Sequence, residues 1–285
     1  MTSSNDSIAH NDRVIPSFKE ELEADSDKVI PRMDAAGDDI PYQKPEYQIN
    51  IQRAGLTRKN IPVRIINPFD ENGKEIVQVT AEVTLETNVP ALRRGIHMSR
   101  TGDIIARTTL RVYKCLQDYA SDLAEQLNKA QYGGPSSARV SAPFSYIEDV
   151  KGWKDEKDKK SLETIRLSAS TLEGKDTHIE NAGVEISNMT ACPCVQQTYK
   201  HALLEANGDI QEAVSKVAPL MTHSQRCNTQ VEIKNIPEIL PIEEILRILD
   251  QTVVRVQNTL PRDHELLMVY RAHKNPQFME DVVRQ

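Results

Sequence analysis

The chain has 285 residues, 39% of them hydrophobic and 27% charged, ordinary proportions for a soluble globular protein and enough length for one large domain or two small ones. No apolar run reaches the roughly 18 residues of a membrane span, and no basic-then-apolar leader opens the sequence, so neither a membrane span nor a secretory signal is expected and the cytoplasm is the default location. The net charge of −7 comes almost wholly from residues 1–40, and the near-neutral remainder allows an anionic ligand but points to no broad nucleic-acid surface.

In chain order, residues 1–44 are acidic, rich in Ser, Asn and Asp, and interrupted by Pro16, Pro31 and Pro41. Without an apolar period they cannot bury enough surface to offset ordering, so a disordered tail is expected. Tyr47 to Ile51 alternates apolar and polar as a half-buried strand does, and Ile61 to Ile66 is a second strand candidate. Asp70 to Gly73 supplies turn chemistry, after which Val77, Val79, Ala81, Val83 and Leu85 recur at every second position and predict a strand. Ile104, Thr108, Val112, Leu116, Tyr119, Leu123 and Leu127 follow at helical spacing and predict one helix over residues 102–130, ended by Gly133-Gly134-Pro135. Val140–Ile147 reads as a strand, 151–160 as a charged loop, and 162–172 and 178–189 as further strands. Two short helices are expected over 195–206 and 210–217, separated by the helix stop Asn207-Gly208. Thr229–Lys234 reads as a strand. Pro241, with Glu243 and Glu244 in the first turn, opens a helix expected to reach Thr259. Leu266–Arg271 is a strand candidate, and Asn275-Pro276 caps a last helix. Segregated helices and antiparallel strands make the class α+β.

Three clusters carry side chains capable of chemistry. Gly95-Ile96-His97-Met98-Ser99-Arg100 precedes the long helix, where free backbone N–H groups suit a phosphate or an oxyanion; a plain structural loop is the alternative. Of the four cysteines (Cys115, Cys192, Cys194, Cys227), Cys192 and Cys194 are one residue apart. A bridge between them would be strained, and Cys-x-Cys with no second pair does not complete a structural zinc site. The pair is therefore either two small apolar side chains or a source of thiolate. Met221-Thr222-His223-Ser224-Gln225-Arg226 adds an imidazole. Thiolate, imidazole and carboxylate together suit zinc or ferrous iron, so Cys192 and His223 are two candidate ligands if the fold joins them.

Taken in order, His97-Met98-Ser99-Arg100, Cys192-Pro193-Cys194, His223-Ser224-Gln225-Arg226 and Asn275-Pro276-Gln277-Phe278-Met279-Glu280-Asp281 resemble the motif set of the type IB GTP cyclohydrolases, over residues 47–285 and closer to the archaeal branch. The resemblance implies a tunnelling fold (T-fold): antiparallel sheets with helices on one face, assembled as an oligomeric barrel, a homotetramer with active sites at subunit interfaces. Residues 45–150 would form a first T-fold-like unit, and 161–285 a second that carries the metal site. It implies GTP as substrate, a divalent metal (Fe2+ first, Zn2+ or Mn2+ otherwise), and formate with a 7,8-dihydroneopterin phosphate as products. Cys192, His223 and Glu265 match the metal ligands, Cys194 the catalytic cysteine, and Glu280 the glutamate that anchors guanine. Metal-bound hydroxide would attack C8 of the purine, with His223 moving the proton to N9. Arg100 and Arg226, helped by His97 and Ser99, are candidates for the triphosphate, with surface ion pairs as their alternative.

One departure stands out. The family has a further metal-site histidine in a His-rich strand motif near its C-terminus, and no match occurs before Gln285; His264 and His273 do not fit it. The second unit is accordingly expected to be incomplete: either the sequence is truncated, or another group substitutes for that histidine, or the protein is impaired. Two other readings follow: a metal-free tunnelling-fold enzyme with a Cys nucleophile, similar to nitrile reductases, and a non-catalytic purine-binding paralogue.

Overall fold

The computed structural model describes residues 40–151, 158–206, 221–236, 238–256 and 262–285. The expected tail up to residue 39, the Asn207-Gly208 stop and the helix expected over 210–217 lie outside these residues.

Strands β1 (Ile51–Ile66) and β2 (Ile76–Val89) pair antiparallel. The Asp70 carboxylate closes their turn by accepting the backbone N–H groups of Glu75, Lys74 and Asn72, which lower its pKa. Two strands were expected in the β1 region, at Tyr47–Ile51 and Ile61–Ile66. Instead one strand of 16 residues begins at Ile51, and Tyr47–Asn50 stay outside the sheet. The period of two is hidden by register shifts between Ile51 and Ala54 and between Leu56 and Lys59, the second holding Arg58 at φ 53°. At Gly55 the strands approach so closely that a Cβ would stand 1.8 Å from the Leu85 carbonyl oxygen.

The helix expected over 102–130 is two helices, α1 (Met98–Thr109) and α2 (Leu116–Ala130). Between them Val112-Tyr113 form β3, paired parallel with Arg64-Ile65 of β1. Thr108 and Thr109 turn their hydroxyls back onto the carbonyls of Ile104 and Ile105, and the Arg64 guanidinium donates to the Leu110 carbonyl just beyond. Ile104 of α1 and Leu116, Tyr119, Leu123 and Leu127 of α2 bury in the same core, which imitates one helical stripe, whereas Val112 between them is exposed in β3.

Strands β4 (Ser136–Lys151), β5 (Asp158–Glu173), β6 (His178–Ala191) and β7 (Ser224–Lys234) extend the sheet antiparallel. The charged segment 151–160 is taken up at both ends by this hairpin, with Lys151 facing Asp158. The strand order is β3-β1-β2-β4-β5-β6-β7, with β8 (Val254–Arg255) on β6. Val63, Val83, Leu85, Val140, Leu167 and Val184 bury against Tyr119, Leu123 and Leu127 of α2, so the apolar face of the sheet carries the helices.

The remaining helices are α3 (Pro193–Ala206), α4 (Ile242–Thr252), α5 (Arg262–Lys274) and α6 (Met279–Arg284). Helix α4 does not reach Thr259: the β-branched run Thr252-Val253-Val254 becomes extended at Val253, and β8 pairs with Asn188 and Met189. Leu266–Arg271, expected as a strand, lies inside α5. Among its described side chains Ala272 and His273 are buried, and the His273 ring bonds the Val269 carbonyl one turn back, a helical relation that a short apolar run does not reveal. The fold is α+β, a mixed sheet with helices on one face, consistent with a single T-fold subunit. No described helix is long and apolar enough to cross a membrane.

Candidate active site

The register of β6 and β7 brings Cys-Pro-Cys and His223 together. Ala191 faces Ser224, so the next residue out on each strand is Cys192 and His223. The Cys192 N–H donates to the His223 carbonyl at 3.1 Å, and the Thr222 hydroxyl donates to the Cys192 carbonyl at 3.0 Å. Pro193 starts α3, where its missing N–H costs nothing and its fixed φ suits the first turn. The thiol of Cys192 therefore sits at a helix N-terminus. The Val195 N–H, and less strongly that of Cys194, lower its pKa against a smaller desolvation effect. Cys194 is exposed two residues further on. Cys115 is the contrast: burial pushes its thiol up to about 11.

His273 of α5 stands behind this pair, with Nε2 3.0 Å from the Thr222 carbonyl oxygen. Gln196 of α3 donates to the His273 carbonyl at 2.8 Å. Neither residue was singled out as functional in the sequence, although the four-residue spacings Cys192–Gln196 and Val269–His273 were open to view. Helix α6 lies at the same end of the sheet: Val282, with Asn275 and Gln277, lines a cavity of about 30 Å³ with Met189, Thr190 and Ala191 of β6. Glu280 is exposed in the first turn of α6, and Arg226 is exposed on β7 opposite Met189. Glu265 is exposed on α5. Among the described residues no three His, Cys, Asp or Glu side chains converge as a metal-holding group, so Glu265 does not join Cys192 and His223 within the chain.

His97, Ser99 and Arg100 lie elsewhere. His97 caps α1, is 5% exposed, and packs its ring against Tyr42 (centroids 4.7 Å) and Tyr132 (5.8 Å). Gln131 clamps its backbone, accepting the His97 N–H at 3.0 Å and donating to its carbonyl at 3.1 Å. Arg100 donates to the Ala130 carbonyl at 2.8 Å, and Ser99 is exposed. This cluster adjoins the sheet end where Thr87, Ser136, Glu173 and His178 stand side by side in register. Cys192 follows the other end of β6. With 14 residues in β6 and a strand rise of about 3.3 Å per residue, the two ends are about 45 Å apart along the strand, far longer than a nucleoside triphosphate.

The family model described as "Type I GTP cyclohydrolase folE2" matches residues 38–285. The chain is 28% identical over 250 residues to the GTP cyclohydrolase MptA of Thermoplasma volcanium, covering 87% of this chain and 81% of that protein. It is 28% identical over 265 residues to the MptA of Methanoculleus marisnigri, covering 87% and 82%, and 26% identical over 263 residues to that of Haloarcula marismortui, covering 86% and 81%.

Proposed function

This chain belongs to the type I GTP cyclohydrolase family, and on that basis we propose that it is a type IB enzyme that hydrolytically opens the guanine imidazole ring of GTP. Formate leaves, and the organic product is a 7,8-dihydroneopterin phosphate, either the triphosphate or the 2′,3′-cyclic phosphate, at the start of cytoplasmic pterin synthesis. The observation that carries the reading is the junction of Cys192 and His223 across the ends of β6 and β7.

The donor chemistry fits a divalent cation. A thiol of lowered pKa at a helix N-terminus readily gives the thiolate, and an imidazole beside it completes a pair suited to ferrous iron, with zinc or manganese as alternatives. When bound, such an ion supplies a water acidified toward neutrality. Cys192 and His223 would hold it, with Glu265 as the third group. With one ring nitrogen on the ion, His223 would offer its other N–H as a hydrogen bond toward N9, and Cys194, on the exposed side of the turn, would supply the proton as the C8–N9 bond breaks. A second hydration releases C8 as formate. Glu280 would accept hydrogen bonds from the guanine N1–H and its exocyclic amine, a pair that adenine does not offer.

Arg100 and Arg226, with Ser99 and His97, would take the triphosphate. Arg226 shares the Cys192 end of the sheet; Arg100 stands at the other. One GTP can meet both arginines only if a second copy brings its own Arg100 end to the Cys192 end of the first. That supports a homo-oligomer, a tetramer in this reading, with Glu265 also reaching the ion through assembly. Among the described residues, β7 and the first part of β1 each pair on one side only, which leaves strand edges for copies to join.

The test is anaerobic incubation of purified protein with GTP after loading with ferrous iron. We expect a fluorescent pterin on oxidation, loss of activity on chelation and recovery on restoring iron; the product mass separates cyclic phosphate from triphosphate. Unchanged GTP at every metal loading would overturn the proposal.

A further inference from the structure

His273 has no part in the chemistry above, yet it is 2% exposed and its imidazole ties together the elements that carry the site. Nδ1 lies 2.7 Å from the Val269 carbonyl oxygen on α5, and Nε2 lies 3.0 Å from the Thr222 carbonyl oxygen. Carbonyl oxygens only accept, so each of the two contacts needs an N–H on the ring nitrogen concerned, Nδ1 toward Val269 and Nε2 toward Thr222. Gln196, 4% exposed and four residues after Cys192, donates to the His273 carbonyl at 2.8 Å.

These bonds form a closed circuit. The Thr222 hydroxyl holds the Cys192 carbonyl at 3.0 Å, and the carbonyl of the next residue, His223, accepts the Cys192 N–H at 3.1 Å. Gln196 returns from the helix that Cys192 begins to the backbone of His273. Thr222 is thus pinned at two points, by its side chain to Cys192 and by its carbonyl to His273. Rotating its peptide would leave the buried ring and a half-buried carbonyl unpaired, which is costly. The orientation of that peptide fixes where the chain continues into His223.

We propose that His273 is a positioning residue, which sets the Thr222 peptide so that the His223 imidazole and the Cys192 sulfur are presented as a pair to one metal ion. The inference rests on the metal role proposed above for Cys192 and His223. It assigns His273 no contact with substrate or metal. A histidine that merely filled space would be replaced without consequence by another ring of similar size.

The experiment compares wild type, Cys192→Ser, His273→Phe and His273→Gln. Phenylalanine fills the space and donates nothing; glutamine offers an amide N–H near the place of Nε2. Hydrogen exchange of the metal-free proteins reads the clamp. In His273→Phe the segments 189–196 and 221–226 are expected to exchange about tenfold faster while β4 and β5 stay as in wild type, and His273→Gln should restore protection. Titration with Co2+ alone reads the consequence through the thiolate-to-cobalt absorption band, which Cys192→Ser should lack. His273→Phe should bind about ten- to a hundredfold more weakly than wild type, with His273→Gln near wild type. Wild-type Co2+ affinity in His273→Phe, or no recovery in His273→Gln, would overturn the positioning role. A wild-type protein without the band would overturn the metal reading itself, and the exchange data would then decide on the clamp alone.

Discussion

Two thiols show how far local dipoles separate chemically equal residues. Cys115 precedes a helix just as Cys192 does, yet burial dominates its environment and drives its thiol up to about 11. At Cys192 the N–H groups at the start of α3 prevail and the thiol is lowered. His178, at the opposite end of β6, lies between Glu173 (Nδ1 to carboxylate 2.6 Å) and Glu180 (Nε2 to carboxylate 2.9 Å), and Ser121 of α2 donates to the same Glu180 oxygen at 2.6 Å. The hydrogen bond that the ring donates to Glu173, and then that to Glu180, raise the His178 pKa against desolvation. A raised folded-state value means stability that is fully present below the unfolded value of about 6.5 and lost as pH rises through the folded value. Because the ring is half exposed, the contribution is discounted to about 1 kcal/mol or less. Urea unfolding should show wild type exceeding His178→Asn by that amount near pH 6, with the gap closing at higher pH; a gap that widens with pH would contradict the assignment.

Among the elements, β8 holds the Cys192 end of β6 through one arginine. Arg255 pairs in register with Asn188 and bonds Glu148 at 2.9 Å, Asp250 at 2.7 Å and the Tyr146 hydroxyl at 2.7 Å. Its side chain is only 12% exposed. Arg255→Leu leaves two carboxylates without their partner, and we expect a loss of about 2–4 kcal/mol in equilibrium unfolding; a change within 0.5 kcal/mol, the usual range for surface substitutions, would show the cluster to be peripheral. The sequence made the strands legible where alternation was uninterrupted, as from Val77 to Leu85. It misled where tertiary contacts overrode local pattern. The bulges of β1 masked its period, and the pairing of Val112-Tyr113 with Arg64-Ile65 split one expected helix into two. Leu266–Arg271 read as a strand, whereas the segment lies in α5, where the His273–Val269 bond spans one helical turn. At the site, the motifs named Cys192 and His223, but their adjacency belongs to the pairing of β6 with β7, and the part of His273 needed the position of α5.

At the scale of the whole molecule, the separation of the two motif clusters governs the account. His97, Ser99 and Arg100 gather at the end of the sheet where β6 begins, and Cys192 and His223 at the end where it finishes, and β6 itself spans about 45 Å with its 14 residues. A chain that acts on GTP with both clusters must share its substrate between copies. The direct measurement is formate released from GTP labelled at C8, by Cys192→Ser alone, by Arg100→Ala alone, and by oligomers reassembled from an equal mixture of the two. Each variant alone should be nearly inactive. The mixture should recover about a quarter of wild-type formate, since random assembly gives that share of sites an intact cysteine from one copy and an intact arginine from its neighbour. A mixture as inactive as its components would contradict the shared site, and so would an Arg100→Ala protein that releases formate at the wild-type rate.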